Sequence, residues 1–354
     1  MARARTTTFV GLNIEPGLAA AAEVSVNGAI TVRDGGRTDL EPGILREGEV
    51  ADAAALTDAL RALWREHSGL DKRVRIGVAN ARIVVRTILL PPIEDRQQLA
   101  TAVRFRAGDE IPMSLDSAVW DFHSVGIVDT PEGPRQRIIL VAARRDMIEA
   151  VLGAARAAGL KPQGIDLSAF GMIRALRRPG PARGPELYVS VGGLTNVAAV
   201  GADGVCGFTR VAGGGLEGLA VELAERRELS LDDARTWLRR VGLEDEIATI
   251  EGDEAIAGDA RTVLADGVRR IGAEVRASLD FHHGQTGDGL VVDRVVLTGP
   301  AVAVPGFAAA LQAEVGVTVH EGVVSGTAGA DLDPLEAGCL SVAAGLAVAE
   351  GPSA

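Results

Sequence analysis

The chain reads as an α/β protein of two related domains, the first of them interrupted by a βαββαβ subdomain. Three observations predict this. A hairpin pattern opens the chain and returns after Pro185. The segment from Ile83 to Asp166 changes to the order β-α-β-β-α-β. Finally, the 354 residues are 47% hydrophobic but only 3% aromatic, which is enough aliphatic side chain for two or three packed units at roughly 100–200 residues each.

The opening pattern runs Phe9 to Ile14, Ala21 to Val26, an Asn27-Gly28 turn, and Ala29 to Arg33. Asn-Gly between apolar runs favours a tight hairpin, because both turn positions tolerate positive φ. Leu56, Leu60, Leu63 and Trp64 recur at helical spacing and predict a helix from Ala53 to His67, stopped by Gly69. Val74 to Val78 follows as a buried strand.

The second rhythm begins with a strand from Ile83 to Leu90, ended by Pro91-Pro92. A helix from Glu94 to Asp109 then carries Leu99, Val103 and Ala107 on one face. Two strands, Ala118 to Ile127 and Arg137 to Ala143, flank a turn from Asp129 to Arg135. A second helix, Asp146 to Ala158, and a strand, Gly164 to Leu167, complete the split βαβ order. Pro179 to Pro185 is a Pro/Gly-rich linker.

Beyond the linker, Leu187 to Val191, Val197 to Val200, an Asp203-Gly204 turn and Val205 to Val211 repeat the opening hairpin. Asn13 and Ser190 take equivalent places in the two copies, which points to a duplicated domain rather than a short solenoid period. Gly213-Gly214-Gly215 leads into a helix from Leu216 to Arg227. Ser230 and Asp233 form an acidic capping box for a helix ending at Arg240. Further helices are expected at 260–282 and 306–315, with strands at 291–297 and 317–320 between and after them. The last helix, Leu335 to Ala349, is almost wholly small and apolar, so it is expected to be buried on most sides.

Composition excludes several classes of function. The net charge is −12, which argues against a nucleic-acid reader with a basic face. Cys206 and Cys339 stand alone, so neither a disulfide framework nor a Cys-based zinc site is expected. No uninterrupted apolar run reaches membrane-spanning length, which predicts a soluble, cytoplasmic chain. His282-His283 reads as helix capping rather than a metal pair, since adjacent helical residues point about 100° apart.

Several stretches, as they stand here, carry a family resemblance: GLNIEPG, VRTILLPPIEDRQQLATAVRFRAGDEIPMSLDSAVWDF, LVAARRDMIEAVLGAARAAGLKPQGIDLSAFGMIRAL, VRASLDFHHGQ, VVLTGPAVAVPGF and LSVAAGLAV. From about Phe9 to Val348 the chain resembles the PilM family of type IV pilus assembly proteins, members of the actin-like ATPase superfamily related to FtsA. The resemblance implies an actin-like, ribonuclease H-like duplicated fold. Its parts would be 1–82 (first domain, 1A), 83–166 (inserted 1C subdomain) and 167–184 (return to 1A and linker). Then come 185–215 (second domain, 2A), 216–288 (helical 2B), 289–334 (2A again) and 335–354 (a C-terminal helix returning to 1A).

In that fold the two hairpin turns and a third glycine turn clasp ATP and magnesium. The corresponding positions here are Asn13, Glu15, Gly17, Ser190, Gly192, Gly193, Thr195, Gly214, Gly215, Gly299 and Pro300. They depart from the pattern at its chemically decisive points. Asn13 and Ser190 replace the two aspartates that hold magnesium through water. Glu15 and Pro16 replace residues whose backbone N–H groups approach phosphate, and Pro has no N–H. Ala20 replaces the phosphate-side lysine. A carboxylate about 4 Å from a phosphate oxygen costs on the order of 4 kcal/mol at an effective dielectric near 20. The expectation is therefore a pseudo-ATPase with no catalytic or metal-ligating residue, weak or no ATP binding and no hydrolysis.

The resemblance further implies a cytoplasmic scaffold at the inner face of the membrane that binds the N-terminal tail of a PilN-type membrane protein. PilO-type proteins, the assembly ATPase and further copies of the chain are additional expected partners. The tail groove is expected between the first domain and the insert, lined by Ile88, Leu90, Phe105, Ile111 and Pro112. The alternatives are an actin-fold ATP-dependent kinase, which needs an aspartate base and an intact first loop, and an FtsA-like polymerising ATPase, which needs a C-terminal amphipathic helix not seen in this chain.

Overall fold

The computed structural model describes residues 5–6, 9–177, 184–286, 292–327 and 332–348, with side chains left undescribed at 5–6 and 282–286. Pro179 to Arg183 of the expected linker and the side chains of His282 and His283 therefore lie outside the described residues. In chain order the first domain begins with β1 (Arg5–Thr6), β2 (Val10–Glu15), β3 (Leu18–Asn27), β4 (Ala29–Asp39), β5 (Leu45–Arg46), β6 (Glu49–Val50), α1 (Ala53–Glu66) and β7 (Arg73–Val78). Then follow β8 (Val84–Leu90), α2 (Arg96–Glu110), β9 (Ala118–Thr130), β10 (Gly133–Arg144), α3 (Arg145–Ala157), β11 (Lys161–Leu167) and α4 (Ser168–Leu176).

The second half holds β12 (Glu186–Val191), β13 (Thr195–Val200), β14 (Cys206–Ala212), α5 (Leu216–Arg227), α6 (Leu231–Val241) and α7 (Glu254–Thr286). It continues with β15 (Arg294–Thr298), α8 (Phe307–Val315), β16 (Val319–Glu321), β17 (Ser325–Gly326) and α9 (Pro334–Leu346).

The duplication is visible in strand order. One sheet runs β11-β7-β2-β3-β4-β17 and the other β14-β13-β12-β15-β16. In each, an antiparallel meander is followed by two parallel strands. Asn13 pairs with Gly77 and Ser190 with Thr298, the same ladder position in the two halves.

Small side chains set how closely the layers approach. Ala19 and Ala21 of β3 face the core under α1, while Ala20 and Ala22 face α9. A Cβ on Gly11 would lie 1.9 Å from the Ala343 carbonyl oxygen, so β2 and α9 pack backbone to backbone. On its other side α9 touches α4, where a Cβ on Gly345 would meet the Gly171 carbonyl at 1.8 Å. Thus α9 lies between the two halves of the molecule, buried from Ala337 to Leu346.

Caps follow the expected chemistry. Asp52 accepts the N–H groups of Ala54 and Ala55 at the start of α1. Ser230 Oγ accepts the Asp233 N–H at 3.1 Å, and the Asp233 carboxylate meets the Ser230 hydroxyl at 2.7 Å.

The insert differs from expectation in one respect. Its element order is βαββαβ, but only β8, β10 and β9 form the small sheet, while β11 pairs in parallel with β7. The reason lies in α3, whose Ile148, Val151 and Ala155 join Leu60, Leu63 and Leu167 in the core of the first sheet. The last helix and strand of the pattern therefore complete the first domain.

Candidate functional site

The first cleft, between the hairpin turns of the two halves, is closed. The β2–β3 turn at Pro16-Gly17 and the β12–β13 turn at Gly192-Gly193 face one another. Glu15, only 4% exposed, reaches across, and its Oε2 accepts the Gly193 N–H at 3.1 Å. Burial pushes its carboxyl up to about 7, opposed by the N–H groups of Leu194 and Gly193 and assisted by the nearby Glu217. The glycines bring protein to protein. A Cβ on Gly192 would lie 2.6 Å from Glu15 Oε1, and one on Gly193 would lie 1.9 Å from the Pro16 carbonyl oxygen. Likewise a Cβ on Gly17 would strike the Glu217 carboxyl at 2.4 Å, and one on Gly215 the Gly192 carbonyl at 2.2 Å.

The other positions expected to touch nucleotide are also engaged. Asn13 Oδ1 accepts the Ser168 hydroxyl at 2.8 Å, and Thr195 Oγ1 donates to the Gly214 carbonyl at 2.9 Å. Ser190 is buried. Gly299, at φ 84°, lets the chain turn against the Val191 carbonyl before Pro300 begins a short 3₁₀ turn.

Arg235 of α6 forks onto Glu217, Nε to Oε2 at 2.9 Å and Nη2 to Oε1 at 2.6 Å, and its Nη1 lies 3.4 Å from Asp39 of the first domain. What remains between these groups is a cavity of about 60 Å³, bordered by Gly17, Gly193, Glu217, Arg235 and Leu238. Pockets that hold a cofactor-sized molecule span roughly 300–1,000 Å³. Among the described residues no group of three His, Cys, Asp or Glu side chains could hold a metal ion. In this closed arrangement the cavity has no room for a magnesium-bound triphosphate.

The second cleft, of about 410 Å³, is open and apolar. It lies between the small sheet and the first domain. Ile139 and Val141 of β10 form one wall, and Ile148, Ile165, Phe170 and Ile173 the other. Val119, Asp121 and His123 of β9 line its mouth, and the Gly204–Cys206 turn of the second domain closes one end. Among the described residues β9 pairs with β10 alone, which leaves one side of its backbone without a strand partner. Arg137 of β10 reaches the second domain here, its Nη2 2.5 Å from Asp203 Oδ2.

None of the five residues expected to line a tail groove borders this second cleft. The pleat turns Ile88 and Leu90 under α2, where they pack with Leu99, Val103 and Ile111 as the core of the small subdomain. Phe105 stands 79% exposed on the outer face of α2. Pro112 borders a separate cleft near β14. The groove wall was readable in Ile138 to Ala143, an unbroken apolar run that marks a strand covered on both faces. Its even positions face α2 and its odd positions the groove.

The family model described as type IV pilus assembly protein PilM matches residues 24–348. A solved PilM–PilN type IV pilus biogenesis complex contains a chain 25% identical to this one, with a TM-score of 0.73 over 96% of this chain and 97% of that one. Two more distant likenesses show the fold alone. The ethanolamine utilization protein EutJ of Carboxydothermus hydrogenoformans is 15% identical, with TM-score 0.53 over 98% of this chain and 90% of its own. MreB5 of Spiroplasma citri, solved with ADP, is 11% identical, with TM-score 0.51 over 95% and 94%. With the duplicated actin-like sheets, the insert after β7 and a family match over most of its length, the chain belongs to the PilM family of type IV pilus assembly proteins.

Proposed function

We propose that this protein is a cytoplasmic scaffold of the type IV pilus inner-membrane platform, which holds the N-terminal tail of a PilN-type membrane protein and neither binds ATP tightly nor hydrolyses it. The observation that carries this reading is the near full-length likeness to the chain of the PilM–PilN complex, in a molecule with an open apolar groove beside a free strand edge. An extended peptide binds such an edge through its backbone and buries alternate side chains in the adjoining pocket. Asp121 and His123 at its mouth offer polar groups to the tail's remaining backbone and side chains.

Attachment to the membrane would come through this partner, since no helix among the described residues is long and apolar enough to cross a bilayer. The kinase alternative needs an acidic base over a bound triphosphate, and the closed first cleft supports neither. Fluorescence anisotropy of a labelled N-terminal tail peptide of a PilN-type protein from the same organism tests the proposal. Saturable binding is expected in the micromolar range, about −8 kcal/mol. No binding at hundreds of micromolar would overturn it.

A further inference from the structure

We infer that the chain supplies its own substitute for the nucleotide's phosphates: the Glu15 carboxyl, seated on the Gly193 N–H, ties the two domains together and keeps the tail groove formed without nucleotide, the last clause resting on the tail-binding reading above. In an actin-like cleft, backbone N–H groups of the hairpin turns converge on phosphate oxygens. Here an oxygen from the first turn already sits on the second, at 3.1 Å. Either protonation state of the carboxyl leaves an oxygen lone pair for that bond. The two turns also touch through Gly193 and Pro16, with no room for a Cβ between them.

A second tie lies beside the first. Arg235 and Glu217, both of the second domain, pair and are partly buried, and Arg235 Nη1 lies 3.4 Å from the half-exposed Asp39 across the cleft. The groove depends on the same closure, because the Gly204–Cys206 turn that ends it belongs to the second domain. Arg137–Asp203, half exposed at that end, adds only about 0–1 kcal/mol, as such pairs do, to the packing of α4 and α9 against β12 and β13. Opening the first cleft would move the turn away from the small sheet and remove one end of the groove.

Hydrogen exchange of the full chain, with and without millimolar Mg-ATP, tests the tie. In the wild type, amides at 192–194 are expected to exchange slowly and to be unchanged by Mg-ATP. Glu15→Ala is expected to speed their exchange about tenfold or more and to weaken tail binding, whereas Glu15→Gln, which keeps an acceptor oxygen, is expected to retain both. Slower exchange at 192–194 on adding Mg-ATP overturns the inference, as does unchanged exchange in a folded Glu15→Ala variant. If Glu15→Ala does not fold, the wild-type arm with Mg-ATP and the Glu15→Gln arm still decide. If no tail binds the wild type, the tail reading and the groove clause fail together, while exchange still decides whether Glu15 ties the domains.

Discussion

A carboxyl removed from water holds its proton more tightly, and for Glu15 burial raises the pKa from 4.5 to about 7. The folded state therefore binds more protons than the unfolded chain between these values. The stability this group contributes is fully present below about pH 4.5 and is lost as pH rises through about 7. The shift corresponds to about 3 kcal/mol. Glu217 of α5, Arg235 and Arg239 of α6 and Asp39 of β4 lie around the same cavity, so the comparison must be made against a variant that changes Glu15 alone. Urea unfolding at pH 5 and pH 8 is expected to show the wild type losing about 2.5 kcal/mol relative to Glu15→Gln across that interval. Parallel pH profiles would contradict the assignment. The sequence exposed the chemical oddity of Glu15, Asn13 and Ser190 because a missing aspartate is visible residue by residue. It did not show that Glu15 would meet Gly193, because that contact joins residues brought together only by the duplication.

Among the elements, α9 and β2 leave the least freedom. Gly11→Ala would put a methyl 1.9 Å from the Ala343 carbonyl and 2.5 Å from the Ala347 nitrogen. Both are backbone atoms in a buried helix and neither can move alone. The expected cost is about 3 kcal/mol, measurable by urea denaturation, and a change under about 0.5 kcal/mol would show that the layers are not in contact. In the small subdomain, alternate strand residues face its core or the groove. Val119, 39% exposed at the mouth of the groove, tolerates a long polar side chain without loss of core, so Val119→Arg should fold normally and weaken tail binding tenfold or more, about 1.4 kcal/mol. Phe105→Ala on the outer face of α2 should leave binding unchanged. Reversal of these two effects would move the groove to the other side of the sheet. Helices and hairpins were readable from periodicity and turn chemistry, as at Leu56, Leu60 and Leu63 or Asn27-Gly28. The sheet that β11 joins was not, because Gly164 to Leu167 looks the same beside β7 as beside β8. The choice is made by the packing of α3 on α1.

At the scale of the whole molecule, the two halves are joined by buried helices and by polar ties on either side of them. α4 and α9 pack through Gly171 and Gly345, Glu15 and Arg235 bridge one cleft, and Arg137 bridges the other. The duplication was legible because both copies begin with the same hairpin and place Asn13 and Ser190 alike, and the strand orders repeat accordingly. The position of the groove was hidden because its walls come from the insert, the first domain and a turn of the second, three regions separated along the chain. A scaffold held closed by its own side chains should bind its partner whether or not nucleotide is present. Calorimetric titration of the PilN-type tail into the full chain, with and without millimolar Mg-ATP, measures this directly. The expected result is one saturable micromolar isotherm, the same in both conditions within about twofold; a tail that binds only when Mg-ATP is present, or not at all, would contradict the account.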